Sequence, residues 1–278
     1  MHKIYSSETN IYEHGIVVEG NVYLNTLKRI ATTELPIYSS FNLSIVDHKN
    51  NSLNERAAKL AVIDGSHTQS DYYEEYDLRY CVLSSLYHLN RIIDLYTNLT
   101  EMFERQHPLG TALRGNTGDP RVYYEIDAFL GATRRIYESI IKVIWKHYYP
   151  KMTGRWSSIR KAVNSSLDKV PPLFAAILKE SWDNFGEKLA DYRNCIAHYI
   201  PLTENSNTTC WLNWYENRWG VTVKLPANPK AKSREKFDFN TGPEALIYCH
   251  SLTCHFVELC ESLNSQTKIA LYLSNPPH

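Results

Sequence analysis

The chain has no net charge: 30 lysines and arginines stand against 30 aspartates and glutamates in 278 residues. No global positive field therefore draws in nucleic acid, and such binding has to come from a local patch or a specific shape. The six cysteines, Cys81, Cys195, Cys210, Cys249, Cys254 and Cys260, include no CxxC pair and form no compact framework. With no N-terminal signal segment to set against this, the pattern predicts reduced thiols and a cytoplasmic protein. No apolar run approaches the length of a membrane span, so a soluble chain without a membrane partner is expected. Also missing are a Gly-rich phosphate loop, a Ser-His-Asp or Cys-His constellation with supporting context, and any repeat of roughly 20–50 residues. These absences argue against the common nucleotide-binding, covalent-hydrolase and solenoid readings.

What is present is helical periodicity. Val82, Leu86, Leu89, Ile93, Tyr96, Leu99 and Phe103 recur at three- and four-residue steps, predicting a helix from about Tyr73 to His107. Gly110–Pro120 reads as a polar loop. A second helix is expected from Arg121 to Tyr149, with Asp119 as N-cap and Pro120 in the first turn. Its stripe is Val122, Ile126, Phe129, Thr133, Ile136, Ile140 and Ile144. Trp156–Asn164 is a candidate connecting helix. Pro171-Pro172 opens a third long helix, with Phe174, Leu178, Phe185, Leu189, Tyr192, Ile196 and Tyr199 as its apolar seam.

After Pro201 the period changes to two. Trp211–Tyr215 and Trp219–Leu225 read as a hairpin turning at Glu216-Asn217-Arg218. A Pro- and Lys-rich loop, Lys224 to Lys236, leads to the last helix, Pro243 to about Asn264, carrying Leu246, Cys249, Leu252, Phe256, Leu259 and Leu263. Near the N-terminus, Ile16–Val18 and Val22–Leu24 flank Glu19-Gly20-Asn21 as a small hairpin; alternatively, Asn21 caps a short helix through Ile30. Leu53–Ile63 is a further short helix candidate. The expected fold is thus mainly α: an antiparallel four-helix bundle over residues 71–265, with a β-hairpin insertion at about 210–226. Residues 1–70 form an N-terminal accessory segment and 266–278 a tail.

One stretch carries chemistry: Asp191-Tyr192-Arg193-Asn194-Cys195-Ile196-Ala197-His198-Tyr199. Asn194 and His198 are four residues apart and share a helix face, while the long Arg193 side chain reaches them from the flank. None of the three lies on the apolar seam, so they belong to solvent or to a second surface. His198 falls in the last turn before Pro201, where the negative end of the helix dipole complements positive charge. Arg and His in that position can equally well satisfy free carbonyls, and a surface histidine needs no task.

Arg193-Asn194-x-x-x-His198, late in the third long helix of such a bundle, resembles the signature of the HEPN superfamily. That signature is an Arg, usually followed by Asn, Asp or His, with a His after four to six intervening residues. Glu125-Ile126-Asp127-Ala128-Phe129-Leu130, followed by Arg134-Arg135, resembles the helix that pairs with the motif helix there. The branch that pairs with nucleotidyltransferase antitoxins often has Tyr two residues after the His; this chain has Ile200 there and Tyr199 beside the His. The resemblance implies a metal-independent endoribonuclease without cofactor, acting as a homodimer on RNA. A toxin, a phage-defence effector or an RNA-processing factor would fit, with an antitoxin or regulatory protein as a further partner. It also implies roles: His198 as general base or acid, Arg193 on the phosphate oxygens, and Asn194 orienting His198 or holding a phosphate oxygen. Tyr199 is a further supporting candidate, and Glu125 and Asp127 could support Arg193 across the helix pair, although such carboxylates more commonly complement the dipole at a helix start. The alternative is a HEPN-like module that binds RNA, nucleotide or a protein partner without cutting; a structural or regulatory interaction protein is the least specific reading.

Two other clusters compete for attention. Cys249-His250, Cys254-His255 and Cys260 invite a metal reading, but Cys249 and Cys260 fall on the apolar seam and no second ligand cluster completes a set. No metal site is expected. Lys224, Lys230, Lys232, Arg234 and Lys236, beside Trp211, Trp214 and Trp219, suggest an RNA-contacting arm; a solvated loop over packed tryptophans is the plainer reading.

Overall fold

Apolar residues at helical spacing fold where their stripes can share one interior, and four stretches of this chain do so. The computed structural model describes residues 15–18, 21–24, 69–107, 114–117, 119–148, 172–204, 210–215, 218–231 and 233–266. These are mainly helical. Helix α1 spans Gln69–Gln106 and α2 Arg121–Tyr148. Helix α3, Pro172–Ser181, runs through a single π-turn, Trp182–Gly186, into α4, Glu187–His198. The last helix, α5, is Ala245–Gln266. None is long and apolar enough to cross a membrane.

The stripes are where the periodicity puts them. All seven α1 residues from Val82 to Phe103 are buried, as are Val122 through Ile140 of the α2 stripe and all six of α5. The side chain of Ile144 lies outside the described residues. The helix directions are given by the residues that meet. Cys81 Sγ sits 3.8 Å from Ser139 Oγ and His88 pairs with Glu125, so α1 and α2 run in opposite senses. Tyr137 bonds Ser181, Arg134 stacks on Trp182, and Asp127 lies within electrostatic reach of Cys195, so α2 opposes α3 and α4. His255 stacks on Phe185 and Tyr248 meets Tyr192, so α5 opposes them as well.

The expected hairpin is present as β4, Cys210–Tyr215, and β5, Arg218–Thr222, with Trp214 opposite Trp219. Val221, Val223 and Leu225 face the core; Glu216, Asn217 and the side chains of Trp214 and Trp219 lie outside the described residues. The hairpin is not an isolated insertion. Strand β1, Gly15–Val18, pairs with β2, Asn21–Leu24, and lies parallel to β5; β3, Arg114–Thr117, adds to β4. The sheet order is β2-β1-β5-β4-β3. Two expectations are corrected here. Asn21 belongs to a strand and caps no helix, and the Gly110–Pro120 loop contains a strand. Backbone pairing to β4 suffices for Arg-Gly-Asn-Thr, which has no apolar alternation to reveal it. The Trp156–Asn164 and Leu53–Ile63 helix candidates lie outside the described residues.

Helix ends are set by side chains. Asp119 Oδ1 accepts the Arg121 N–H at 3.0 Å, as an N-cap should. At α5 the cap is Glu244, buried at the junction of helix and sheet. Its Oε2 accepts the Ile247 N–H at 3.0 Å. Its Oε1 accepts from Tyr96 Oη of α1 at 2.6 Å and from the Val223 N–H at 3.2 Å. One carboxylate thus ties three elements together.

Candidate functional site

The end of α4 is held by groups well away from it. The π-turn opens with buried Ser181, whose carbonyl accepts from Tyr137 Oη at 2.9 Å. Its Oγ lies 2.6 Å from Tyr137 Oη and 2.7 Å from His255 Nε2. Gly186 closes the turn against the Trp182 indole, where a Cβ would lie 2.5 Å from Cε3. The extra residue of a π-turn rotates the phase of the downstream helix by about the 100° of one helical position. Leu178, Leu189 and Tyr192 of the expected seam are buried, and the rest of the seam departs from the expectation. Trp182 and Cys195 are buried, while Phe185 and Ile196 sit at the margin of the core. Tyr199 leaves the helix altogether, with φ −131° and ψ −81°, and is 49% exposed. The periodicity puts Tyr199 on the seam; the helix ends one residue too early for that.

Arg193 and His198 are exposed and Asn194 is partly buried. Arg193 Nη1 donates to Asn194 Oδ1 at 3.4 Å, a long, exposed contact between sequence neighbours. The Tyr199 ring stands edge-on to His198, with centroids 6.3 Å apart. Counting four, three and four residues along α4 puts Glu187, Asp191, Asn194 and His198 on one stripe.

The supporting carboxylates divide. Glu125 turns to α1, where its Oε2 lies 2.8 Å from His88 Nδ1, and so does not back Arg193. Asp127 faces α4. No described residue pairs with it, and burial pushes its carboxyl up to about 7. It in turn raises the Cys195 thiol, whose first cause is burial and whose Sγ donates to the Ile200 carbonyl at 3.7 Å.

The basic loop is not a free arm. The Tyr192 hydroxyl donates to the Pro226 carbonyl at 2.7 Å, fixing the loop's start to α4. Lys230 Nζ sits 3.1 Å from Asp191 Oδ2 and 3.6 Å from Glu187 Oε1. Asn228 grips the Lys236 carbonyl and the Asp238 N–H, closing the loop on itself. Lys236 is exposed, Arg234 is partly buried, and Lys232 lies outside the described residues. Lys224 donates to the Gly242 carbonyl. Trp211 is partly buried and its Nε1 donates to Glu204 at 2.9 Å, while the side chains of Trp214 and Trp219 lie outside the described residues.

His250 and Cys254 do share a face, with Sγ 3.6 Å from Nε2, but both are buried. Among the described residues no group of three or more His, Cys, Asp and Glu could hold a metal ion. His255, named from the sequence only within a Cys/His cluster, is a mostly buried partner of Ser181. Burial lowers its imidazole to about 4, so it stays neutral against Ser181. Its place next to buried Cys254 in the sequence gave no hint of that role.

No protein-family profile, no curated protein and no solved structure matches the chain.

Proposed function

We propose that the chain is an endoribonuclease of the HEPN type, built on an antiparallel four-helix bundle and acting as a dimer through the outer face of α4. The observation that carries this is exposed Arg193 and His198, with partly buried Asn194, at the end of a helix whose inner face is buried and firmly held. Nothing in the core needs these three side chains. The opposed directions of α1, α2, α3–α4 and α5 support the bundle.

RNA brings its own nucleophile, so the protein has only to move protons and steady charge. In the proposed step His198 takes the proton of a ribose 2′-OH as the 2′-oxygen attacks the adjacent phosphorus. The P–O5′ bond breaks, and the leaving oxygen takes a proton from His198 of a second copy. The products are a 2′,3′-cyclic phosphate and a 5′-hydroxyl. Arg193 forks onto the non-bridging oxygens as charge builds there. One imidazole cannot stand on both sides of one phosphorus, so two copies are required. Exposed Ala197, between Arg193 and His198 on α4, leaves room for that approach.

The test is cleavage of total RNA in EDTA by the parent, by His198→Ala and by Arg193→Ala, with the assembly state measured alongside. Cleavage by the parent that leaves cyclic phosphate ends and is lost in both variants supports the reading. Variants that cut as well as the parent refute it. A parent that binds RNA but never cuts is instead the non-catalytic module.

A further inference from the structure

The α4 stripe poses an electrostatic problem for any polyanion. Glu187 and Asp191 precede Asn194 and His198 on the same face, and Asp191 lies about 10 Å along the axis from His198. Left alone, two carboxylates would repel the phosphates flanking the one at His198. The structure places one ammonium over both of them: Lys230 Nζ, 3.1 Å from Asp191 and 3.6 Å from Glu187. The loop that delivers it is pinned by the Tyr192–Pro226 bond and by the Asn228 grip on Lys236 and Asp238. Such a closed surface loop is a rigid holder rather than a tether. The two halves of the bridge differ: the Lys230–Glu187 pair is exposed on both sides, 65% and 54%, and so is a poor stabiliser, whereas the nearer partner, Asp191, is only 11% exposed. Lys230 thus neutralises one largely buried carboxylate and reaches outward over an exposed one on the same stripe.

We propose that Lys230 is the electrostatic gate of the α4 face, cancelling Glu187 and Asp191 so that single-stranded RNA can lie along the helix toward His198. This rests on the ribonuclease reading and assigns the loop a different task from a free phosphate-gripping arm. With Lys230 present, Glu187, Asp191, Arg193 and Lys230 sum to zero; without it the face carries one net negative charge.

The experiment measures binding by fluorescence anisotropy, using a labelled, mixed-sequence single-stranded RNA oligomer and the His198→Ala chain, in which the proposed cleavage is lost and binding is expected to remain. Removing one charge about 10 Å from a phosphate is expected to weaken binding by about two- to fifteen-fold, the range between water-like and protein-surface dielectric. Lys230→Ala should fall in that range, and Lys230→Glu should weaken binding further. Adding Glu187→Gln and Asp191→Asn to Lys230→Ala should restore parental affinity, because the repulsion is then gone. A direct phosphate contact would not be restored in this way, so failure of the rescue overturns the proposal. So does unchanged binding in Lys230→Glu; if the His198-intact parent still cuts RNA, the ribonuclease reading stands without the gate. A parent that neither binds nor cuts RNA overturns both.

Discussion

Asp127 offers the sharpest check on the geometry beneath the candidate site. Its carboxyl faces α4 with no described partner, and burial alone raises it to about 7. An unfolded aspartate titrates near 3.9. Between those values the folded chain binds a proton that the unfolded chain has released, so stability falls as pH rises. The contribution is whole below about pH 4, declines through the window and is gone just above pH 7. Three units correspond to a ceiling of about 4 kcal/mol, and partial solvent access brings the expected value nearer 2 kcal/mol.

Asp127→Asn keeps the shape of the protonated side chain and removes the titration. Urea unfolding of parent and variant at pH 5 and pH 8 isolates the effect, since every other group cancels in the difference. The variant should gain on the parent by about 1–2 kcal/mol between the two pH values, with unchanged m. An equal difference at both pH values would mean that the carboxyl is solvated. The placement of α2 against the end of α4 would then be wrong.

Glu244→Ala strips acceptors from Tyr96 Oη and from the Val223 and Ile247 N–H groups, and should cost about 3 kcal/mol or more in urea unfolding. Glu244→Gln, which keeps an oxygen at the junction, should cost clearly less. Gly186→Ala drives a methyl into the buried Trp182 indole and should cost about 1–3 kcal/mol, with a change in the near-ultraviolet signal of that tryptophan.

How far the sequence speaks depends on whether a signal is local. The α1, α2 and α5 stripes were legible because each repeats a 3.6-residue period over several turns, and every described member is buried. Strand β3 was illegible because Arg114–Thr117 is a strand only by virtue of its partner. The π-turn was hidden too. The letters Trp-Asp-Asn-Phe-Gly do not announce an extra residue, and its bonds come from Tyr137 and His255 on two other helices. Trp182 follows Leu178 by one ordinary turn, and the displaced residue then puts Gly186 in the core and leaves Phe185 at its margin. Site partners failed for the same reason. Glu125 and Asp127, two positions apart on α2, face different helices, and only the packed α1 and α4 show which carboxylate meets which. Lys230 read as part of a charge run, yet its meaning lies in Asp191 and Glu187, far away in sequence.

The division of labour around α4 makes the functional reading open to a clean test. Arg193 and His198 are exposed, so removing either should cost little stability. What fixes them is buried: the Ser181–Tyr137–His255 bonds, Gly186 against Trp182, and Tyr192 bonded to Pro226. A lost activity in His198→Ala therefore cannot be blamed on a lost fold, whereas the same loss in Gly186→Ala could be. Lys230 stands between the two groups: its own side chain is exposed, but its partner Asp191 is only 11% exposed, so the stability of Lys230→Ala is measured alongside its binding. The triple variant that also carries Glu187→Gln and Asp191→Asn leaves no unpaired carboxylate there, so its binding reports on the surface potential beside Asn194 and His198.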